Sequence, residues 1–219
     1  MTRVLEAGSA ALLTALLLPL LLIIGLLVKA TSRGPAVFRQ ERVGLGGKRF
    51  VMYKFRTLRH ETGSGSVADL VCEKDWRVTP IGRFLRWSHL DELLQLLNIL
   101  KGDMTFVGPR PITPQIAEAR RGECSRHCSP KVLPGVTGLR QICQREEFLW
   151  EHHREFCLAL DAWYVKNKSF RLDCWIVWQT LLIPFFGKWK PESLGRKLGL
   201  LPFPRQASAQ SGVPTARAA

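Results

Sequence analysis

The sequence predicts an α+β fold that is mainly helical. Three observations lead to this prediction. The chain opens with an uncharged, strongly apolar segment, Ala7–Val28. Two short extended runs flank a glycine-rich cluster at 44–47, which is typical of a small β-hairpin. Apolar residues then recur at helical spacing, most clearly between Ile81 and Leu100.

Composition limits the classes of partner. The 219 residues suit one domain with appendages, and a formal net charge of +14 favours a polyanionic partner. Nucleic acid, anionic lipid headgroups and a phosphorylated substrate all satisfy that charge. The six cysteines show no regular spacing, which favours a reducing compartment. Cys124, His127 and Cys128 lack the second ligand pair of a zinc site, so free thiols are the favoured interpretation.

The first element is a membrane segment. As a helix, Ala7–Val28 is long enough to reach across a bilayer core. Lys29 and Arg33 follow it without a small-residue cleavage pattern, which argues against a cleaved signal peptide. Pro19 lies near its middle and lacks an amide hydrogen, so we expect a kink there. Thr14 is a candidate donor to the backbone carbonyl that Pro19 frees.

The elements of the globular part follow in order. Extended runs at 36–40 and 48–56 form the hairpin, and residues 60–70, rich in Gly and Ser, form a flexible loop. The next helix carries a core-facing stripe and ends at Gly102; the stripe comprises Leu90, Leu93, Leu94, Leu97 and Leu100.

The second half of the chain is predicted to be helical, with one turn. Residues 112–131 form an exposed helix, Pro134–Gly138 turns the chain, and an aromatic-rich helix covers Phe148–Val165. Asp173–Phe186 is apolar but too short to span a bilayer, so a core helix and a helix lying in the headgroup zone are equally favoured. The end, 202–219, lacks periodicity and is predicted to be disordered.

Two adjacent carboxylates, Asp91 and Glu92, mark the candidate site. Ser88 could cap the helix with Asp91 reaching back to the first amides, and acids in a first turn favour the helix dipole without any chemistry. On a helix the two side chains diverge by roughly 100°, so their roles must differ if both are catalytic. A carboxylate that is ionised and poor in competing partners can act as a nucleophile.

Cations surround this pair in the sequence. Lys54 and Arg56 lie on the hairpin, Arg86 precedes the acids and Arg110 follows them. Arginine suits a planar, bidentate grip on phosphate oxygens. Arg42, Arg59 and Arg83 are weaker candidates, because basic clusters are commonly solvated surfaces. Further candidates are Gly135 and Gly138, whose missing side chains could let backbone approach a nucleotide.

A long stretch from Ser88 to Pro111 resembles the signature of the bacterial sugar transferase family, the monotopic phosphoglycosyl transferases. The resemblance extends over about residues 3 to 185, through the segments Gly34–Gly44, Tyr53–Thr57, Pro134–Gly138 and Asp161–Asn167. It departs from the family pattern at Leu18, where a Ser usually precedes the proline, at Leu139, where a Trp is usual, and at Cys143–Gln144, which replace an Asn-Gly pair.

The resemblance implies a reaction and roles in it. Such enzymes move a sugar 1-phosphate from a UDP-sugar to polyprenol (undecaprenyl) phosphate and release UMP, as the first membrane step of a glycoconjugate or exopolysaccharide pathway. Asp91 would be the nucleophile that forms a covalent aspartyl-phosphosugar. Glu92 would assist through a metal contact or proton handling. Asp161 and Gln141 match family positions and would support the site.

A divalent cation is expected beside the diphosphate. Mg²⁺ would share the charge with Asp91 and Glu92 as its protein ligands, since carboxylates and phosphate oxygens are its usual company.

The resemblance also implies an architecture. Residues 1–33 would form a re-entrant membrane helix broken at Pro19, with both ends on the cytoplasmic face. Residues 34–190 would form a catalytic domain at the surface of the bacterial inner membrane, facing the cytoplasm and bordered by amphipathic interfacial helices. Residues 191–219 would be an extended, largely disordered tail. From the residues alone, a simple span stays open, and so does the oligomeric state, a homodimer included.

Two other classes of function fit parts of the sequence. A membrane-tethered nucleic-acid-binding module accounts for the charge, yet the chain has no zinc finger, paired RNA-binding aromatics or basic heptads, so no nucleic-acid partner is expected. A silent scaffold for polysaccharide assembly accounts for the membrane segment but not for the intact acid pair.

Overall fold

A computed structural model describes residues 3–59, 76–119, 132–143 and 154–200. The described helices and strands, in chain order, are α1 (Arg3–Thr31), β1 (Val37–Val43), β2 (Arg49–Phe55), α2 (Pro80–Ser88), α3 (Leu96–Lys101), β3 (Thr105–Val107), α4 (Pro114–Ala119), β4 (Gly135–Thr137), α5 (Leu139–Ile142), α6 (Arg154–Asn167), α7 (Phe170–Phe186) and α8 (Pro191–Lys197). Two short 3-10 segments, Leu45–Gly47 and Leu90–Gln95, complete the list.

Helix α1 runs without interruption through Pro19. It is the one helix in the described ranges that is long and apolar enough to cross a membrane. The expected role of Thr14 is wrong, because its hydroxyl donates to the carbonyl of Ala10 at 2.7 Å. Pro19 frees the carbonyl of Ala15, four residues before it, and Thr14 does not reach that group.

One face of α1 packs against the globular part along most of its length. Ala10, near its start, is fully buried against Phe50 and Ile99. Val28, near its end, is buried against Phe55 and Leu85. The opposite face is apolar and exposed; its most open side chains are Val4, Leu5, Leu12, Leu16, Leu22, Ile23 and Leu26. Helix α1 therefore has a protein-facing side and an uncovered apolar side.

Polar contacts fix the first turn of α1 to the end of α3. The Arg3 guanidinium donates to the carbonyl oxygens of Met104 at 3.2 Å and Ile99 at 3.3 Å. Glu6 accepts a hydrogen bond from the Thr105 hydroxyl at 2.6 Å. A cation beside the last carbonyls of a helix is favourable for its dipole. The beginning of α1 is thus held at the globular part.

The predicted hairpin is confirmed. Strands β1 and β2 pair antiparallel, from Val37 opposite Phe55 to Val43 opposite Arg49. The side chain of Asn98 in α3 is fully buried, and it binds β2 through both its amide nitrogen and its amide oxygen. It donates to the Val51 carbonyl at 2.6 Å and accepts from the Tyr53 amide at 3.1 Å. This amide pins α3 across the strand that carries Lys54.

The helix predicted between Ile81 and Leu100 is broken in the structure. Helix α2 ends at Ser88, His89 adopts a left-handed backbone conformation with φ 58°, and a 3-10 segment leads into α3. The break rotates the residues that follow, so Leu97 and Leu100 are 37% and 38% exposed rather than buried. The expected end at Gly102 is confirmed, with φ 92° at the C-cap.

Strands β3 and β4 pair in parallel, with Thr105 opposite Gly135. The prediction that Pro134–Gly138 forms a turn is therefore wrong. A side chain on Gly135 would collide with the backbone amide of Gly108, and one on Gly138 would collide with the Gly108 carbonyl. These glycines allow two backbone segments to pack in direct contact.

The second half of the chain packs around α6 and α7. Tyr164 is 2% exposed, and its hydroxyl lies 2.9 Å from the Val107 carbonyl and 2.7 Å from the Asp173 carboxylate. Helix α7 has a core-facing side and an open side, because Ile176 is fully buried while Trp178 is 60% exposed. Its position in the headgroup zone stays a prediction. Other open side chains of α7 are Phe170, Leu181, Phe185 and Phe186.

The folded part continues past the predicted boundary at residue 190. Helix α8 covers Pro191–Lys197, and Leu194 within it is completely buried in the core formed by α6 and α7. The Lys197 ammonium lies 4.7 Å and 4.9 Å from the ring centres of Trp175 and Trp189. The expectation that 191–219 is a tail is wrong for Pro191–Lys197, because Leu194 packs in the apolar core and holds this helix against the domain.

Some predictions fall outside the described residues. These are the loop at 60–70, the second half of the helix at 112–131, the start of the helix at Phe148, the Cys124, His127 and Cys128 cluster, and the tail at 202–219.

Candidate active site

The acid pair owes its position to the break between α2 and the 3-10 segment. Thr79 caps α2 by accepting a hydrogen bond from the Gly82 amide at 2.9 Å, and the helix ends at Ser88. The hydroxyl of Ser88 donates to the carbonyl of Phe84 at 2.8 Å, so Ser88 closes α2 and does not cap the acids. The expected capping box is wrong, because the left-handed backbone of His89 separates the two segments.

Glu92 lies between two cations. Its Oε1 accepts from Lys54 Nζ at 2.8 Å and lies 3.4 Å from Nη1 of Arg110. Each of these three side chains is at least three-quarters buried. Burial alone would raise the pKa of Glu92, but Lys54 and Arg110 outweigh it and hold the pKa well below its usual range. Glu92 is therefore a fixed anion that orders both cations.

Asp91 differs from Glu92 in its surroundings. It is 9% exposed, and within the part of the chain that the structure describes its carboxylate makes no hydrogen bond. Burial and then the neighbouring charge of Glu92 raise its pKa to about 6, against the opposing effect of Lys54, Arg86 and Arg110. A desolvated carboxylate without hydrogen-bond donors is a stronger base and nucleophile than one in water.

Arg86 joins this group from α2. Its Nε donates to the hydroxyl of Thr57 at 2.8 Å, and its charge acts on Asp91. The structure thus brings together five of the residues predicted from sequence: Asp91, Glu92, Lys54, Arg86 and Arg110. Three cations and two anions leave a net positive charge, which suits a diphosphate.

Arg56 follows the end of β2, two residues after Lys54 and facing a different partner. Its Nη2 donates to the carbonyl of Ser32 at 2.7 Å and to the Ser32 hydroxyl at 2.8 Å, just after α1. Arg56 is thereby connected to the end of α1 and not to the acid pair.

The supporting residues lie in the second half of the fold. Asp161 of α6 pairs with Arg140 of α5, with an oxygen to nitrogen distance of 3.2 Å. The two polar atoms of the Gln141 side chain are buried without a hydrogen-bond partner, and Gln141 lies over Gly138. Gly135 and Gly138 are required by their close contact with Gly108. No described contact joins these residues to Asp91.

Two residues near the acid pair were not predicted. His89 keeps exposed surface on one side. Partial burial of its ring and then the charge of Lys188 lower its pKa, while Glu92 acts in the opposite direction. A histidine two residues before an acid pair is a signal that sequence analysis can use. Lys188 is almost a hundred residues away in sequence, and only the packing of the segment after α7 brings it to His89.

The residues present fit Mg²⁺ that arrives with a diphosphate. The described ranges hold no group of three or more acidic, histidine or cysteine side chains that could form a complete metal cage. Asp91 and the second oxygen of Glu92 remain available, and Mg²⁺ in phosphate sites is commonly held by one or two carboxylates plus substrate oxygens.

A family comparison decides the class of protein. The family model described as bacterial sugar transferase matches residues 1–187. The chain belongs to the bacterial sugar transferase family. Asp91, Glu92 and every cation around them lie within the matched range, apart from Lys188 directly after it.

Relatives of known name include transferases of this family. A UDP-glucose:undecaprenyl-phosphate glucose-1-phosphate transferase of Caulobacter vibrioides is 45% identical over 141 residues, which cover 64% of this chain and 52% of that protein. An undecaprenyl-phosphate galactose phosphotransferase of Salmonella typhimurium is 37% identical over 166 residues, 69% of this chain and 32% of its own length. An uncharacterized sugar transferase of Bacillus subtilis, EpsL, is 41% identical over 158 residues, which cover 70% of this chain and 72% of that protein.

This bacterial sugar transferase therefore spans about half of the Caulobacter protein and about a third of the Salmonella protein that it matches. The two differ in the sugar that their names give, glucose in one and galactose in the other.

Proposed function

We propose that the chain transfers a sugar 1-phosphate from a UDP-sugar to undecaprenyl phosphate and releases UMP. The names of its relatives support both substrates. The observation that carries the proposal is the asymmetric acid pair. Asp91 is buried and free of hydrogen bonds in the described structure, while Glu92 is fixed by Lys54 and Arg110 beside it. Asp91 is therefore suited to act as the nucleophile, and Glu92 is suited to hold the cations in place.

In the first step, an oxygen of Asp91 attacks the phosphorus that carries the sugar. The bond between that phosphorus and the bridging oxygen breaks, and the bridging oxygen leaves with UMP. Asp91 then holds the sugar phosphate as a mixed anhydride. Arg86 and Arg110 act on the same carboxylate from α2 and from the loop after β3, so they can neutralise the charge that develops on the phosphate oxygens.

In the second step, an oxygen of undecaprenyl phosphate attacks the same phosphorus. The anhydride bond to Asp91 breaks, its carboxylate is restored and a lipid diphosphate sugar forms. Each step exchanges one phosphorus–oxygen bond for another, so no oxidant or further co-reactant is needed.

The contacts of Glu92 favour one of its two predicted roles. An oxygen that already accepts from Lys54 Nζ at 2.8 Å has little capacity for a proton. We therefore assign Glu92 to holding Lys54 and Arg110 in place and to metal contact, in preference to proton handling.

Mg²⁺ would be held by Asp91 and the free oxygen of Glu92 together with substrate phosphate oxygens. When bound, it supplies charge neutralisation for the diphosphate. The cations of the protein itself then orient the diphosphate relative to Asp91.

The packing of α1 supports a membrane-surface location. Arg3 at its start and Ser32 after its end are both tied to the globular part, at Met104 and Arg56. A helix that crossed the bilayer away from the domain could not keep both contacts. We infer that both ends of α1 lie on the cytoplasmic face of the bacterial inner membrane, together with the domain, and that the exposed apolar side chains of the helix lie in lipid.

The test is a two-part assay on the purified protein. Labelled UMP should exchange into a UDP-sugar without any lipid, because the lipid phosphate takes no part in the first step. Adding undecaprenyl phosphate should then produce labelled lipid diphosphate sugar with one or more of UDP-glucose, UDP-galactose and UDP-N-acetylgalactosamine. Transfer to lipid without any exchange would rule out the covalent route and favour direct attack by the lipid phosphate.

A further inference from the structure

We propose that Arg56 binds the phosphate of the lipid acceptor, at a subsite separate from the one that Lys54 and Arg110 form at Glu92. The inference rests on the proposed function, because it assigns a buried cation to one of the two substrates.

The first observation is an incomplete set of hydrogen bonds. Arg56 is 6% exposed, and its Nη2 is satisfied by the carbonyl and hydroxyl of Ser32. The other two nitrogens, Nε and Nη1, are buried and have no hydrogen-bond partner. Buried donors on a charged group are costly to leave unpaired. A phosphate supplies both the missing acceptors and the missing negative charge.

The second observation is the location of this guanidinium. Its neighbour Phe55 packs in one cluster with Val28 of α1 and Leu85 of α2. The next residue, Thr57, accepts a hydrogen bond from Arg86, whose charge reaches Asp91. Arg56 therefore lies where the end of α1 meets α2, next in sequence to the residue that binds Arg86.

Exposed apolar side chains on the two helices that meet at this junction favour a lipid over a nucleotide. Leu22 and Leu26 of α1 are 61% and 72% exposed, and Phe84 and Trp87 of α2 are 51% and 65% exposed. An isoprenoid chain can lie against these side chains while its phosphate reaches Arg56. Lys54 and Arg110, by contrast, face Glu92 and serve the diphosphate of the donor.

The test separates the two half-reactions. Arg56→Gln and Arg56→Lys should leave the lipid-independent UMP exchange within about twofold of wild type. Both should raise the KM for undecaprenyl phosphate, by about 10- to 100-fold in Arg56→Gln and less in Arg56→Lys, the range expected for losing hydrogen bonds to a charged group. Arg39→Ala, an exposed cation on β1, is the matched control and should change neither reaction. Equal loss of exchange and transfer in the Arg56 variants would overturn the inference.

A second variant covers the case in which Arg56 is needed for folding. Ser32→Asp places a carboxylate against the guanidinium and should compete with the lipid phosphate. We expect it to fold at least as stably as wild type, to keep UMP exchange and to raise the KM for undecaprenyl phosphate about tenfold or more. Ser32→Asn is the neutral control. An unchanged KM in Ser32→Asp would overturn the assignment even if both Arg56 variants fail to fold.

The source of the phosphate is distinguished by the membrane mimic. The KM effect should persist in neutral detergent micelles that contain undecaprenyl phosphate and no anionic phospholipid. A defect confined to anionic vesicles would instead identify Arg56 as a headgroup contact and overturn the inference. Quenching of tryptophan fluorescence by undecaprenyl phosphate measures binding without turnover, and Arg56→Gln should weaken it. A wild type inactive with every donor, yet with this Arg56-dependent binding, would reject the proposed function alone.

Discussion

At the residue scale, the adjacent acids Asp91 and Glu92 acquire opposite properties from their environment. Burial together with the charge of Glu92 raises the pKa of Asp91 to about 6. Contact with Lys54 and Arg110 lowers the pKa of Glu92. Two carboxylates whose pKa values are driven apart can take different roles in one site.

Asp91→Asn should abolish UMP exchange and transfer, because an amide cannot form the acyl phosphate, and it should also stabilise the fold. The raised pKa means that ionising Asp91 opposes folding above about pH 6. Asn avoids that cost, so in metal-free buffer its Tm should exceed the wild-type value at pH 8. The difference should shrink as the pH falls from 6 towards 4, where the unfolded chain also becomes protonated. Near-normal turnover in this variant would contradict the covalent mechanism.

Arg110→Ala should lower kcat by about 10²- to 10³-fold, the usual cost of removing one donor from a developing phosphate charge. Arg110→Lys should recover only part of the activity, because a point charge cannot reproduce the guanidinium fork. Steady-state kinetics against Arg39→Ala measure the effect. A loss no larger than in this exposed control would remove Arg110 from the site.

Removing divalent metal should stop both exchange and transfer. Asp91 and Glu92 provide too few ligands for a complete protein cage, so the ion should depend on the diphosphate and exchange readily with EDTA. Activity should return on adding Mg²⁺ in excess of the chelator. Full activity in EDTA would contradict the magnesium proposal.

The acid pair and its cations were predictable because motif and charge are local properties of the sequence. The structure places Lys54, Arg86 and Arg110 near the pair in space, while their role in binding phosphate stays a prediction. The direction of Arg56 was not predictable, since strand register tells which face a side chain occupies but not that Ser32 will accept from it.

At the element scale, the break at His89 determines where Asp91 lies. Helical spacing predicts one helix from Ile81 to Leu100. This prediction is wrong because the left-handed backbone of His89 ends α2 and turns the residues that follow to a different direction. The end of α3 at Gly102 was predictable, because a helix C-cap often needs a left-handed backbone conformation, which glycine adopts without strain. No such signal marks His89, for which a positive φ is uncommon.

His89→Gly should keep the fold and most of the activity, because glycine adopts φ 58° freely. His89→Val should destabilise the chain by about 1–3 kcal/mol, since a β-branched residue is strained in that region. It should also lower kcat by displacing Asp91. Thermal unfolding and kinetics of the two variants give the comparison. Equal stability of both would show that the backbone at this position is not left-handed.

At the scale of the whole molecule, α1 is a structural part of the domain as well as a helix long and apolar enough to cross a membrane. The hydropathy of Ala7–Val28 predicts burial in lipid but gives no information on the face made by Ala10 and Val28, which packs on the protein. Contacts such as that of Arg3 with Met104 join residues about a hundred positions apart, and sequence periodicity cannot predict them. A long apolar helix near the start of the chain was predictable; the face by which it packs on the domain was not.

The tie between Arg3 and the end of α3 leads to a prediction about topology. A cysteine in place of Thr2, in a variant without native cysteines, should resist a membrane-impermeant thiol reagent in intact cells and react after permeabilisation. Lys166→Cys, at an exposed position of α6, is the control for the domain and should behave in the same way. If α1 crossed the bilayer, the contacts of Arg3 with Met104 and Ile99 would be lost and the Thr2 position would lie outside. Labelling at Thr2 alone in intact cells would then be seen, and it would reject the placement of both helix ends on the cytoplasmic face while leaving the chemistry of Asp91 untouched.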